Sequence, residues 1–94
     1  MLEILTFRKG VYQSYKKNIN GGEETSLDLA QRKMTRNMLL AKRVGENMYQ
    51  YGKLWFVVED GTVIWLSNHC PKPNKWKKNV KKYMELNKLL GIYS

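Results

Sequence analysis

The sequence predicts an α+β domain, a small antiparallel sheet of about four strands with two helices in the order ββα–ββα, and three observations carry that reading. Two runs of β-branched and aromatic residues, Leu54–Val58 and Thr62–Leu66, flank Asp60-Gly61. An apolar stripe recurs at helical spacing through Leu27, Ala30, Met34, Met38 and Ala41. The segment from Lys75 to Leu90 is amphipathic, with lysine as its polar half.

Taken in chain order, Leu2–Phe7 reads as a strand, Arg8-Lys9-Gly10 as a turn, and Val11–Tyr15 as a returning strand. Asn18 to Gly22 has the chemistry of a loop. Thr25 or Ser26 caps the first helix, with Asp28 in the first turn where the helix dipole favours an acid. Gly45 is placed just past the end of that helix. Asp60-Gly61 suits a type I′ turn, which requires positive φ at both central residues. That register sets Val58 opposite Val63, Phe56 opposite Trp65 and Trp55 opposite Leu66. Apolar residues on both faces suggest a hairpin covered on both sides, or one face used for binding or dimerisation. Pro71 and Pro73 break regular structure, Asn74 caps the last helix, and Gly91 ends it. Trp76, Val80, Tyr83, Asn87 and Leu90 are expected on its buried face, and Lys77, Lys78, Lys81, Lys82 and Lys88 opposite.

Ninety-four residues make one domain, residues 1–94, with enough aromatic and aliphatic content for a core. The charge is lopsided. Residues 71–94 hold seven lysines against Glu85, +6 of the formal +9; the first 70 residues hold ten basic and seven acidic side chains. Such a field attracts polyanions by counterion release whatever their sequence. The single cysteine, Cys70, excludes an internal disulfide and makes a cysteine-built zinc site implausible. No apolar run approaches the roughly 20 residues of a membrane span, and Met1–Phe7 has no signal-peptide character. The expectation is an intracellular, cytoplasmic protein without membrane partner, cofactor or metal. Lysine-, asparagine- and tyrosine-rich usage is typical of AT-rich coding, phage genomes included.

The candidate contacts are of three kinds. Lys77, Lys78, Lys81, Lys82 and Lys88 form a row of point charges suited to a phosphate backbone. Four to six of them on phosphates would give a log K against log salt slope of roughly −3 to −5. Arg32, Arg36 and Arg43, at i, i+4 and i+11 on the first helix, are expected in one stripe opposite the Met/Ala face, and guanidinium groups grip phosphates bidentately. Tyr49 and Tyr51, at the hairpin entrance, are the aromatics best placed to stack on bases. The remaining large aromatics are read as core. His69 beside Cys70 has poor geometry for a nucleophile–base pair, because neighbours on an extended chain point apart.

The leading expectation is therefore a non-enzymatic, basic nucleic-acid-binding module. RNA or single strands are slightly preferred over duplex DNA, with contact mainly through phosphates. The alternative from another class is a small phage-type accessory or inhibitor protein acting on a host protein with an acidic or RNA-coated surface. A minor ribonuclease using His69 ranks third. A homodimer would help so small a core and double the basic surface.

Overall fold

In a computed structural model, residues 3–19, 21–69 and 79–92 are described. Expectations that rest on Cys70 to Lys78 lie outside them. The elements run β1 (Thr6–Phe7), α1 (Val11–Asn18), a 3₁₀ turn (Gly22–Glu24), α2 (Leu27–Leu40), β2 (Lys42–Gly45), β3 (Met48–Tyr51), β4 (Leu54–Glu59), β5 (Thr62–Ser67) and α3 (Val80–Leu89). The α+β class holds. The sheet has five strands in the order β1-β5-β4-β3-β2, and it is mixed: β2 to β5 form an antiparallel meander, whereas β1 adds in parallel to β5. There are three helices among the described residues, so strand number, strand order and helix count all depart from the ββα–ββα expectation.

The first departure is α1, where a returning strand was expected. As a strand, Val11–Tyr15 would place Gln13 on the same face as Val11 and Tyr15. As a helix it brings Val11 and Tyr15, four residues apart, onto one buried face and leaves Gln13 exposed. Gly10, at φ 90°, turns the chain into it. Deprived of a hairpin partner, the first strand shrinks to Thr6–Phe7 and pairs with β5, Thr6 opposite Thr62. The segment before it is pinned to α2 by the Leu5 N–H donating to Thr35 Oγ1 at 2.8 Å.

Ser26 caps α2 as expected, its hydroxyl accepting from Leu29 N–H, and Ala30 and Met34 on its inner face are fully buried. The helix stops at Leu40. Ala41 is already extended (ψ 158°), and Lys42–Gly45 becomes an edge strand, so Gly45 is a strand residue rather than a helix terminator. With β3 this strand makes a hairpin that the sequence reading lacked. Turns of two residues follow at Glu46-Asn47 and Gly52-Lys53, with Asn47 at φ 62° and Gly52 at φ 63°.

The Asp60-Gly61 turn forms with φ 50° and 75°, and Val58 faces Val63 as expected. Beyond that pair the register slips by one. Val57 pairs with Trp65, Phe56 with Leu66 and Trp55 with Ser67, leaving Ile64 as the extra residue of a β-bulge. The slip is what core packing demands. Leu54, Phe56 and Val58 alternate inward on β4, and on β5 the inward residues are Val63 and Leu66, three apart rather than two. Helices α1 and α2 pack on that inner face, where Val11, Tyr15, Ala30 and Met34 meet Phe56, Val58, Val63 and Leu66 in one cluster.

Helix α3 lies against α2 through a second cluster of Leu86, Leu90 and Ile92 with Leu29, Leu39 and Leu40. Its described part begins at Val80 under the cap of Asn79, whose side chain accepts from Lys82 N–H at 3.0 Å; the expected start at Lys75 under Asn74 lies outside the described residues. Gly91 (φ 68°) ends it: Ile92 N–H reaches Asn87 O and Gly91 N–H reaches Lys88 O, the two bonds of a Schellman motif. Tyr83, Leu86, Asn87 and Leu90 turn inward, whereas Val80, expected inside, is 59% exposed.

Candidate nucleic-acid interface

The lysines of α3 follow from its phase. With Leu86 and Leu90 locked onto α2, Lys81 and Lys88 project from the outer side together with Glu85, and both are exposed. Met84 and Leu89 share that outer surface. Lys82 is exposed too, but its Nζ donates to the Leu39 carbonyl at 3.2 Å. It thereby satisfies an orphan acceptor at the C-terminus of α2, where a cation is favoured by the dipole. Lys77 and Lys78 lie outside the described residues.

The arginine stripe does not exist as an outward surface. Arg43 is on β2, exposed, with its Nε on Gly45 O at 3.3 Å. Arg32 and Arg36 are on α2 but on the side that α3 covers. Arg32 bridges the Asp28 carboxylate (3.1 Å) and the Leu90 carbonyl (2.7 Å), tying α2 to the end of α3. Arg36 is only 8% exposed. Its Nε and Nη2 donate to Asn37 Oδ1 at 3.2 and 3.0 Å, and its Nη1 to Asn87 Oδ1 at 2.9 Å. The guanidinium carbon sits 4.4 Å from the centroid of the Tyr83 ring. A guanidinium can serve several acceptors in one plane and stack at once, which is what a helix–helix seam with two amides and a phenol ring requires. Arg36 is therefore a structural cation, withdrawn from the contact set.

Tyr49 and Tyr51 alternate with Met48 and Gln50 on β3 and point to the helix side of the sheet, half-buried against the main core. Tyr49 stacks on Phe56 with centroids 5.7 Å apart. Burial raises the Tyr51 phenol pKa, with the Arg36 charge acting in the opposite direction. Neither ring is the open platform expected at a hairpin entrance. Cross-strand pairing does bring Arg43 and Tyr49 together, and both line a cleft of about 700 Å³. His69 is exposed at the far end of β5 from Glu59 and Asp60, its N–H on Ser67 Oγ at 3.3 Å.

Like Val80 and Leu27, Trp65 is assigned to the core by the sequence and turned outward in the structure. It is 42% exposed, on the sheet face opposite α1 and α2, with its ring 5.5 Å from that of Trp55 at 64°. Only the bulge at Ile64 separates this arrangement from the expected one, and no composition signal marks a bulge.

Electrostatically, the described residues contain one ion pair, Arg32–Asp28, on the seam between helices. Lys81 and Lys88 have no carboxylate partner among them. No described helix is long and apolar enough to cross a membrane, and no group of three metal-ligating side chains occurs among the described residues.

Fold and surface together define a class: a small basic α+β domain whose mixed sheet carries helices on one face and an aromatic pair on the other. The YorE family model matches residues 5–89, nearly the whole chain, and the protein belongs to that family. No curated protein and no solved structure matches it.

Proposed function

We propose that this protein binds nucleic acid, with RNA preferred, chiefly through phosphate contacts. The observation that supports this most is the pairing of a formal charge of +9 with a single internal ion pair among the described residues. Lysines that neutralise no acid of their own leave a field that condensed counterions, or phosphates, must screen. Lys81 and Lys88 on the outer side of α3 are the core of the contact set, joined by Arg43 and by the remaining lysines of the C-terminal segment. Lys82 contributes charge while holding the end of α2.

The test is binding of a labelled RNA across a salt series, comparing the native chain with the double variant Lys81→Gln, Lys88→Gln. Glutamine keeps helix propensity and avoids placing a negative charge in the last turn. Loss of two phosphate contacts should flatten the log K against log salt slope by about 1.4 for a single strand and about 1.8 for a duplex. Binding that ignores salt, or its absence at low salt, would end the proposal.

A further inference from the structure

We infer that the sheet face opposite the helices is a base-stacking platform for single-stranded nucleic acid, with Trp65 as the ring that takes a base. This inference rests on the nucleic-acid reading above and specifies the form of ligand.

Trp65 is the one exposed Phe, Tyr or Trp among the described residues. A free indole of this size on a 94-residue domain is costly in water unless something covers it, since aromatic side chains carry a large apolar area. Its position is held rather than loose. The backbone is fixed by pairing with Val57, and the ring rests edge-on to Trp55, which occupies the same face on the neighbouring strand. A ring held at this angle keeps a face available, which is what stacking on a base requires.

The charges around it favour one occupant. β1 ends at Phe7, and the next N–H, that of Arg8, bonds Val63 O at 3.0 Å, so Arg8 and Lys9 follow immediately beside β5. Both are exposed. On the other flank Lys42 pairs with Gln50, which pairs with Trp55, so a cation stands at the edge-strand end of the row that holds Trp55, while the row of Trp65 runs through Val57 and Met48 to Gly45. Glu59 is the acid whose alternation puts it on this face. A second copy of a chain carrying +9 would bring like charges together across such a surface. A duplex presents its bases stacked inward and offers no free π-face. Unpaired bases on a phosphate strand supply both the ring and the counter-charge.

The experiment titrates the full chain with a single-stranded oligouridine, with a duplex RNA and with inorganic polyphosphate, following tryptophan fluorescence and, separately, anisotropy of a labelled ligand. The native chain should show saturable quenching with the single strand only. Trp65→Leu, which keeps an apolar residue at the site, should lower single-strand affinity by roughly 5- to 100-fold and leave polyphosphate and duplex affinity within about twofold. Trp65→Phe, a milder change to the fold, should give an intermediate loss. Single-strand binding without quenching, equal single-strand affinity in Trp65→Leu, or a parallel loss for all three ligands would each overturn the platform while leaving polyanion binding standing. Salt-independent or absent polyphosphate binding would instead remove the underlying function. Concentration-dependent dimerisation that the oligouridine reverses would reassign the face to self-association.

Discussion

Replacing Arg36 separates a structural cation from a ligand-binding one, because the two roles give opposite results. Arg36→Ala removes three hydrogen bonds from a charged donor and empties the space over the Tyr83 ring. It strands two acceptors, Asn37 Oδ1, which is buried, and Asn87 Oδ1, which is half-buried. Each unsatisfied buried acceptor costs about 1–3 kcal/mol, and loss of the cation–π contact adds about 1 kcal/mol. Against this, the guanidinium has no carboxylate partner among the described residues, so its removal returns part of the cost of burying a charge. The net expectation is a loss of about 2–4 kcal/mol, or a Tm lower by very roughly 10–25 °C in a domain of this size. Arg36→Lys should fall between native and alanine, since one ammonium cannot span Asn37 and Asn87 as the fork does. Urea and thermal unfolding give the stabilities, and an RNA salt series on the folded variants gives the slope, which should not change. The reasoning fails if Arg36→Ala stays within about 0.5 kcal/mol of native while the slope flattens by nearly one contact. That outcome would make Arg36 an exposed phosphate ligand.

Two further outcomes follow from burial and backbone geometry. Tyr15 and Tyr51 both have phenol pKa values raised above 10.0 by desolvation, opposed by the Arg36 charge. The folded pKa exceeds the unfolded one, so their contribution to stability is complete below the unfolded value and declines as pH rises from there through the folded value; alkaline unfolding monitored at 295 nm should show late-ionising tyrosines, and Tyr15→Phe should make stability fall less steeply above pH 10. Gly22 differs from Gly21 in kind: a Cβ at Gly22 would lie 2.8 Å from the Tyr15 carbonyl oxygen, a backbone atom that cannot swing aside, whereas at Gly21 it meets nothing but sits at φ 78°. Gly22→Ala should therefore cost about 1–3 kcal/mol in urea unfolding by overpacking, and Gly21→Ala about 1–2 kcal/mol by left-handed backbone strain.

What was legible in the sequence is what has strong periodicity or fixed turn chemistry. The Asp60-Gly61 turn, the α2 stripe from Ala30 through Met34 to Met38 (Leu27, expected inside, is 44% exposed) and the glycine that ends α3 are of this kind. Helix α1 was misread because eight residues carrying one buried four-residue pair, Val11 and Tyr15, fit a strand locally; tertiary contact with β5 decides the matter. β2 escaped because it is an edge strand exposed along its whole length, Lys42 to Gly45, with no inward residue to create an alternation. The arginine stripe failed at both ends for different reasons. Arg43 lies beyond Ala41, where the chain has already become extended, and Arg36 faces α3, a packing event with no signature in the residues flanking either helix. The lysines of α3 were easier to place, since leucines at 86 and 90 fix the buried side and leave Lys81 and Lys88 outside.

One inserted residue links the core to the proposed platform. Without the bulge at Ile64, strict alternation from Val63 would put Trp65 among the core residues and Leu66 on the outer face. The inner layer, already filled by Phe56, Tyr15 and Met34 at 2% exposure or less, would then have to admit an indole. The slip exchanges the two: leucine fills the core beside Phe56, and tryptophan moves to the face that no described helix covers. The packing requirement and the exposed ring thus have a single cause, and the ring emerges on the side of the sheet away from α2 and the lysine helix packed on it. The proposed phosphate contacts of α3 and the proposed base stacking on β5 therefore fall on different faces of the molecule. If both proposals hold, loss of either should leave the other measurable, with affinity for a structureless polyanion and affinity for unpaired bases changing independently.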